Sequence, residues 1–170
     1  MYPTASGDNR DIQVSRLATL PSVPTTIASS IKIDNIGDAG VSGYYYLSHE
    51  EVPQTARSFD TFEFNGKLAY AEKSQSTGLM KTALLKSGKI FKKGGTEIIS
   101  SPGVIDHIAV DWKGTTLDIA GSNLVAANDP NAVSAIKIYA PGVTTVSLNG
   151  STIPFTVSGN YIYAVRVAIN

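Results

Sequence analysis

The chain has 170 residues, 42% of them hydrophobic, with 14 basic and 14 acidic residues and no cysteine. That length and apolar content suit one well-buried domain with an extension, and the cancelled charge leaves no global field to steer the protein to nucleic acid or an anionic membrane. The missing cysteines exclude disulfides, thiolate zinc sites and cysteine nucleophiles, and no stretch approaches the roughly 18–20 consecutive apolar residues of a spanning helix, so no membrane insertion is expected.

Residues 1–30 carry Pro3, Pro21 and Pro24 among Ser and Thr, which predicts an extended arm or linker that packs on something else, ahead of a β domain over 31–170. Residues 1–7 show neither a basic nor an apolar signal region, and a Met ahead of such a loop-like start is expected of a piece of a longer precursor. Short strands are then expected at regular intervals, over 31–36, 43–47, 59–64, 67–72, 79–86, 96–100, 104–112, 116–120, 134–140, 143–148, 152–157 and 160–169. Strands set off by turn residues every ~8–12 positions indicate an all-β, antiparallel β-sandwich, Ig-like or jelly-roll-like. The segment 74–86 has the best helical pattern, but Gly78 interrupts it and it reads as strand.

Two Asn-Gly steps between alternating apolar runs predict tight hairpins, because a mirror-image two-residue turn needs positive φ at both central positions. Asn65-Gly66 is expected to fold 59–64 onto 67–72, and Asn149-Gly150 to fold 143–148 onto 152–157. In the last strand Tyr161, Tyr163, Val165, Val167 and Ile169 share one face, with Asn160, Ile162, Ala164, Arg166 and Ala168 on the other, so one face is core. Pro154 has no amide donor and places its strand at an edge.

Catalytic patterns are scarce. The two histidines, His49 and His107, stand in no metal-ligand spacing, and there is no Gly-x-Ser-x-Gly elbow. His107 and Asp111 fall on one strand face and offer a general-base pair, which competes with a solvent-facing polar stripe. His49-Glu50-Glu51 offers a cation site or a hydrated loop. Asp34, Asn35 and Asp38, and likewise Asn128, Asp129 and Asn131, present hard oxygens for calcium, although turns recruit the same residues for their own backbone bonds.

The aromatics say more. Tyr44-Tyr45-Tyr46 puts two rings on one strand face, and Trp112 ends its strand beside Lys113-Gly114. Flat rings with a polar edge suit sugar rings, so Tyr44, Tyr46 and Trp112 are expected to form a stacking platform, against the alternative that strand tyrosines are half-buried β-formers. Between Lys67 and Lys93 there are seven lysines and a single acid, Glu72. They either form a basic strip, with Lys89, Lys92 and Lys93 contacting acidic sugars, or protect sheet edges against strand addition.

The stretch from Ile138 to Phe155, with Pro141, Val146 and Asn149-Gly150, closing on Gly159-Asn160-Tyr161, resembles the terminal β-sandwich of multidomain glycoside hydrolases and polysaccharide lyases. The resemblance covers about the last 35 of 170 residues. It implies an extracellular or periplasmic setting, a saccharide-related parent protein and catalysis housed in another domain, so the chain is expected to be extracellular or at the cell surface. The expected function is thus a non-catalytic sandwich module, supporting or carbohydrate-binding, with a polysaccharide or a neighbouring catalytic domain as partner and no cofactor beyond a calcium ion. The alternative is a structural or adhesive domain of a cell-surface or virion protein, assembling through its N-terminal arm. An enzyme using His107 and Asp111 ranks last. Asn149-Gly150-Ser151 also matches a glycosylation sequon, for which an Asn holding a tight turn is a sufficient explanation.

Overall fold

The structure is a computed structural model that describes residues 11–36, 40–51 and 55–168. Asp38, Ile169 and the first ten residues of the arm lie outside the described residues. The first half of the chain supplies β1 (Gln13–Leu17), β2 (Thr19–Leu20), β3 (Ala28–Asp34), β4 (Val41–Ser48), β5 (Arg57–Phe59), β6 (Phe62–Phe64), β7 (Leu68–Ser74) and β8 (Met80–Lys93). The second half supplies β9 (Thr96–Lys113), β10 (Thr116–Ser122), β11 (Leu124–Ala126), β12 (Ala135–Tyr139), β13 (Thr145–Leu148), β14 (Ser151–Thr152), β15 (Thr156–Ser158) and β16 (Tyr161–Val167). The described residues contain no helix, so none crosses a membrane as a helix.

Strands β8 and β9 organise the molecule. Their turn, Gly94-Gly95, has φ of 54° and 81° at its two central residues, which glycine adopts without a steric penalty. From it the two strands pair antiparallel from Lys93↔Thr96 to Thr82↔Asp111. The early part of β8 takes β7 as its other neighbour and the late part takes β6; the late part of β9 takes β10 and the early part takes β12. One layer therefore runs β1-β3-β4-β7-β8-β9-β10-β13-β14, and the second runs β2-β5-β6-β8-β9-β12-β16, with β11 and β15 also paired to β16.

The layers face one another, which makes the fold sandwich-like. Tyr44 and Tyr46 of β4 lie 4.9 Å from Phe62 and 5.1 Å from Phe59, and Phe62 stacks on Phe91 at 5.2 Å. Such ring pairs add about 0.5–1.5 kcal/mol each beyond the area they bury. Along the first layer Ala69, Ala71, Ala83, Leu85, Ile108, Val110, Leu117, Ile119 and Val146 are buried, while the residues between them stay partly or fully exposed, as the two-residue period of a strand requires.

Three expectations are corrected. Asn65-Gly66 is not a hairpin turn: β6 and β7 both run antiparallel to β8, one after the other, and neither pairs with the other. The asparagine serves a bulge instead, since its Oδ1 accepts the amides of Lys89 and Ile90, each at 3.0 Å, where the β8–β9 register shifts. Gly66 and Gly88 leave room for the Phe64 ring, whose atoms lie 2.2 Å and 2.4 Å from where their Cβ atoms would stand. The sheet is mixed rather than wholly antiparallel, because β10 and β13 pair parallel. The arm's described part belongs to the domain: β1 forms one layer's edge on β3, β2 pairs with β5 in the other layer, and Ala28 is already core.

The second Asn-Gly step is a turn as expected, with φ of 50° at Asn149 and 84° at Gly150 between the pair Leu148↔Ser151. The ranges 96–100 and 104–112 merge into one strand, β9. In β16 the core face is that of Ile162 and Ala164, and a bulge sets Ala164 and Val165 together opposite Ile136, so both are buried.

Candidate functional site

Because β8 and β9 serve both layers, their ends lie at the sandwich rim, and a cleft of about 530 Å³ opens there. Trp112 shares the inward face of β9 with Ile108 and Val110 and is the last inward residue before the turn at Gly114. Its indole Nε1 donates to the Tyr139 carbonyl at 2.9 Å, which ties β9 to the end of β12. Lys93 closes β8 opposite Phe62, and its Nζ donates to the Gly78 carbonyl at 2.5 Å, which ties β8 to the turn before its own start. Gly78, Leu79, Met80, Ile98, Tyr139 and Pro141 supply the rest of its apolar lining. Leu79 is 69% exposed.

The chemistry of the cleft is that of holding. Its lining has no carboxylate and no histidine among the described residues, only the ammonium groups of Lys81 and Lys93. Burial, and then the nearby charge of Lys73, pull the Lys93 ammonium below the ordinary lysine range.

Of the six residues expected to bind ligand, the fold brings Trp112 and Lys93 together and separates the rest. Tyr44 and Tyr46 are 2% and 1% exposed in the aromatic core, Tyr46 stacked on Phe59 and Tyr44 tilted against Phe62, so they offer no platform. The Tyr44 ring is further covered by the Lys73 ammonium, 4.6 Å from its centroid. Lys92 points away from the cleft and pairs with Glu63 at 3.0 Å, and Lys89 is exposed beyond the bulge. The seven-lysine strip is thus dispersed; Lys73 alone sits in a separate polar crevice with Lys32, Asp34, Ser42 and Asp60.

The titratable clusters are also placed. His107 and Asp111 lie four residues apart on β9, roughly 13 Å at strand rise, and hydrogen-bond different partners, Ser122 and Thr82. Ser122 Oγ contacts His107 Nδ1 at 2.8 Å and Asp106 Oδ2 at 2.9 Å. A triad needs serine and carboxylate on opposite ring nitrogens, whereas here both gather at Nδ1. Glu50 is engaged by Arg57 and Ser48. Asp34 is held by Lys32 and Ser42, and Asn35 accepts the Gly40 amide with φ at 58°. Asp129 accepts the Asn131 amide within its own turn. No group of three or more metal-ligating side chains occurs among the described residues.

Tyr139, Leu79 and Met80 escaped the sequence reading of the site. Each was legible as part of a strand or turn, but nothing along the chain states that the ends of β8, β9 and β12 meet. Comparison of the chain with protein-family models and with curated proteins finds no match.

Proposed function

We propose that this chain is a non-catalytic β-sandwich module that holds a saccharide in the Trp112 cleft, as an accessory part of a polysaccharide-active protein acting outside the cell. The observation that carries this reading is the make-up of the cleft: an indole and a tyrosine beside apolar walls, with no carboxylate or histidine in the lining. Apolar and aromatic surface can cover the C–H face of a sugar ring, while general acid–base catalysis would need a poised proton donor and acceptor. The resemblance of the C-terminal stretch to terminal sandwiches of glycoside hydrolases and lyases points the same way.

Native affinity electrophoresis of the whole chain in gels containing neutral or acidic polysaccharides tests this. Retardation by one polymer is expected, weakened in Trp112→Ala and in Leu79→Ser. The second variant alters an exposed residue and leaves the core intact. Unchanged migration of the wild-type chain in every gel rejects the proposal.

A second reading, assembly through the arm, has one observation in its favour. β1 pairs only with β3 among the described residues, carries no proline and exposes Val14 by 65%, which leaves it open to strand addition. Concentration-dependent self-association that Val14→Lys abolishes would favour that reading.

A further inference from the structure

Five of the ten lysines of this protein are neutralised in place. Lys32, Lys73, Lys92, Lys113 and Lys137 each lie within 3.3 Å of a carboxylate, Asp34, Asp60, Glu63, Asp118 and Glu97 respectively. Lys93, in the lining of the cleft, is bonded instead to a neutral carbonyl, that of Gly78, and forms no ion pair among the described residues. An ammonium has three donors, and the Gly78 carbonyl takes one of them. The group sits half-buried at the edge of the apolar cleft rather than in open solvent. Burying a charge without a counter-charge is costly, and burial together with the Lys73 charge disfavours the protonated form.

We propose that the missing counter-charge comes from the ligand: the cleft takes an anionic saccharide, with the oxyanion of the sugar at Lys93 Nζ and the ring against Trp112. This rests on the reading of the cleft as a saccharide site and adds which saccharides it selects. A carboxylate or a sulfate supplies the same chemistry, a negatively charged oxygen able to accept from an ammonium. Inside a cleft with apolar walls that contact is screened less by salt than a surface contact would be. Lysine offers a point charge rather than a planar fork, so selection is for charge rather than for one oxyanion geometry.

Isothermal titration of the full chain with tetragalacturonate and its methyl ester, and with a sulfated and an unsulfated galactan oligosaccharide, separates the cases. The charged member of a series is expected to bind at least tenfold more tightly than its uncharged counterpart. Lys93→Met should remove that advantage, bringing the charged member's affinity down to that of its uncharged counterpart, and Lys93→Arg should restore most of it. Preference confined to the galacturonate pair or to the galactan pair identifies carboxylate or sulfate as the source. Equal affinity for charged and uncharged members, or a preference that survives Lys93→Met, overturns this inference alone. Failure of all four ligands to bind removes the saccharide site and this inference with it.

Discussion

Arg57 is the one charged side chain in the buried set of described residues. Its guanidinium donates to both oxygens of Glu50 and, at 3.3 Å, to the Tyr46 hydroxyl, while Nε is buried without a partner. The hydrogen bond from Arg57, followed by that from Ser48, holds the Glu50 carboxyl below the usual carboxylate range. A carboxylate lowered in the folded state contributes stability that is complete above its unfolded pKa of about 4.3 and is lost as pH falls through the lower folded value. Glu50→Gln should therefore destabilise at neutral pH and matter progressively less under acid. Breaking a fully buried pair costs about 3–5 kcal/mol; with the Glu50 side chain 31% exposed, roughly 2 kcal/mol is expected after allowing for solvent screening. Urea unfolding of both proteins at pH 7 and pH 3 measures it, and a difference that grows toward pH 3 contradicts the assignment. Tyr46 shows the limit of reading single residues. Its alternation with Tyr44 was legible, but whether that shared face looked outward or inward depended on β5 and β6 arriving to cover it.

At the level of strands, turns were legible where the flanking residues pair with each other. Asn149-Gly150 is such a case, whereas Gly94-Gly95, which also sits between partners that a two-residue connection joins, went unread because the strand before it was expected to end at Lys86. Asn65-Gly66 has the same chemistry and a different outcome, because β8 is long enough to accept β6 and β7 in succession. Turn propensity is local, and the identity of the partner strand is not. The glycine at 66 is kept small by Phe64 rather than by its own φ, which is not among the positive values. Gly66→Ala should cost about 1–3 kcal/mol as an overpacking change, since its Cβ would also lie 2.8 Å from the Ser87 carbonyl oxygen. Gly103→Ala meets nothing nearer than 3.6 Å and should stay within about 0.5 kcal/mol of the parent. Thermal or urea midpoints decide; equal shifts for the two would show that Phe64 repacks freely.

Across the whole molecule, strand type and most strand positions followed from alternation, whereas the layer assignment did not. Ser87-Gly88 in β8, where the φ of Ser87 is 53°, and Pro102-Gly103 in β9 stand where each strand leaves one set of neighbours for the other, but neither step says which strand comes next. Sharing these strands couples the layers. The single tryptophan, Trp112, bridges them through Tyr139, so its fluorescence and the far-UV circular dichroism should trace one coincident urea transition. Separate transitions would show that the layers unfold independently.

The β8–β9 turn also marks where the protein could be divided into two polypeptides. A break at the exposed Gly94-Gly95 step assigns β1–β8 to one fragment and β9–β16 to the other. Each fragment then carries half of both layers, with a 14-residue or an 18-residue strand left bare along its margin. Neither holds the whole core: the first keeps the rings of Tyr44, Tyr46, Phe59, Phe62 and Phe91, but its Ala83 and Leu85 lose Val110 and Ile108 across the seam. Mixed, the two pieces should regain the strand signal and ordered core that each lacks by itself, in the manner of a split reporter, and circular dichroism of each piece against the mixture checks it.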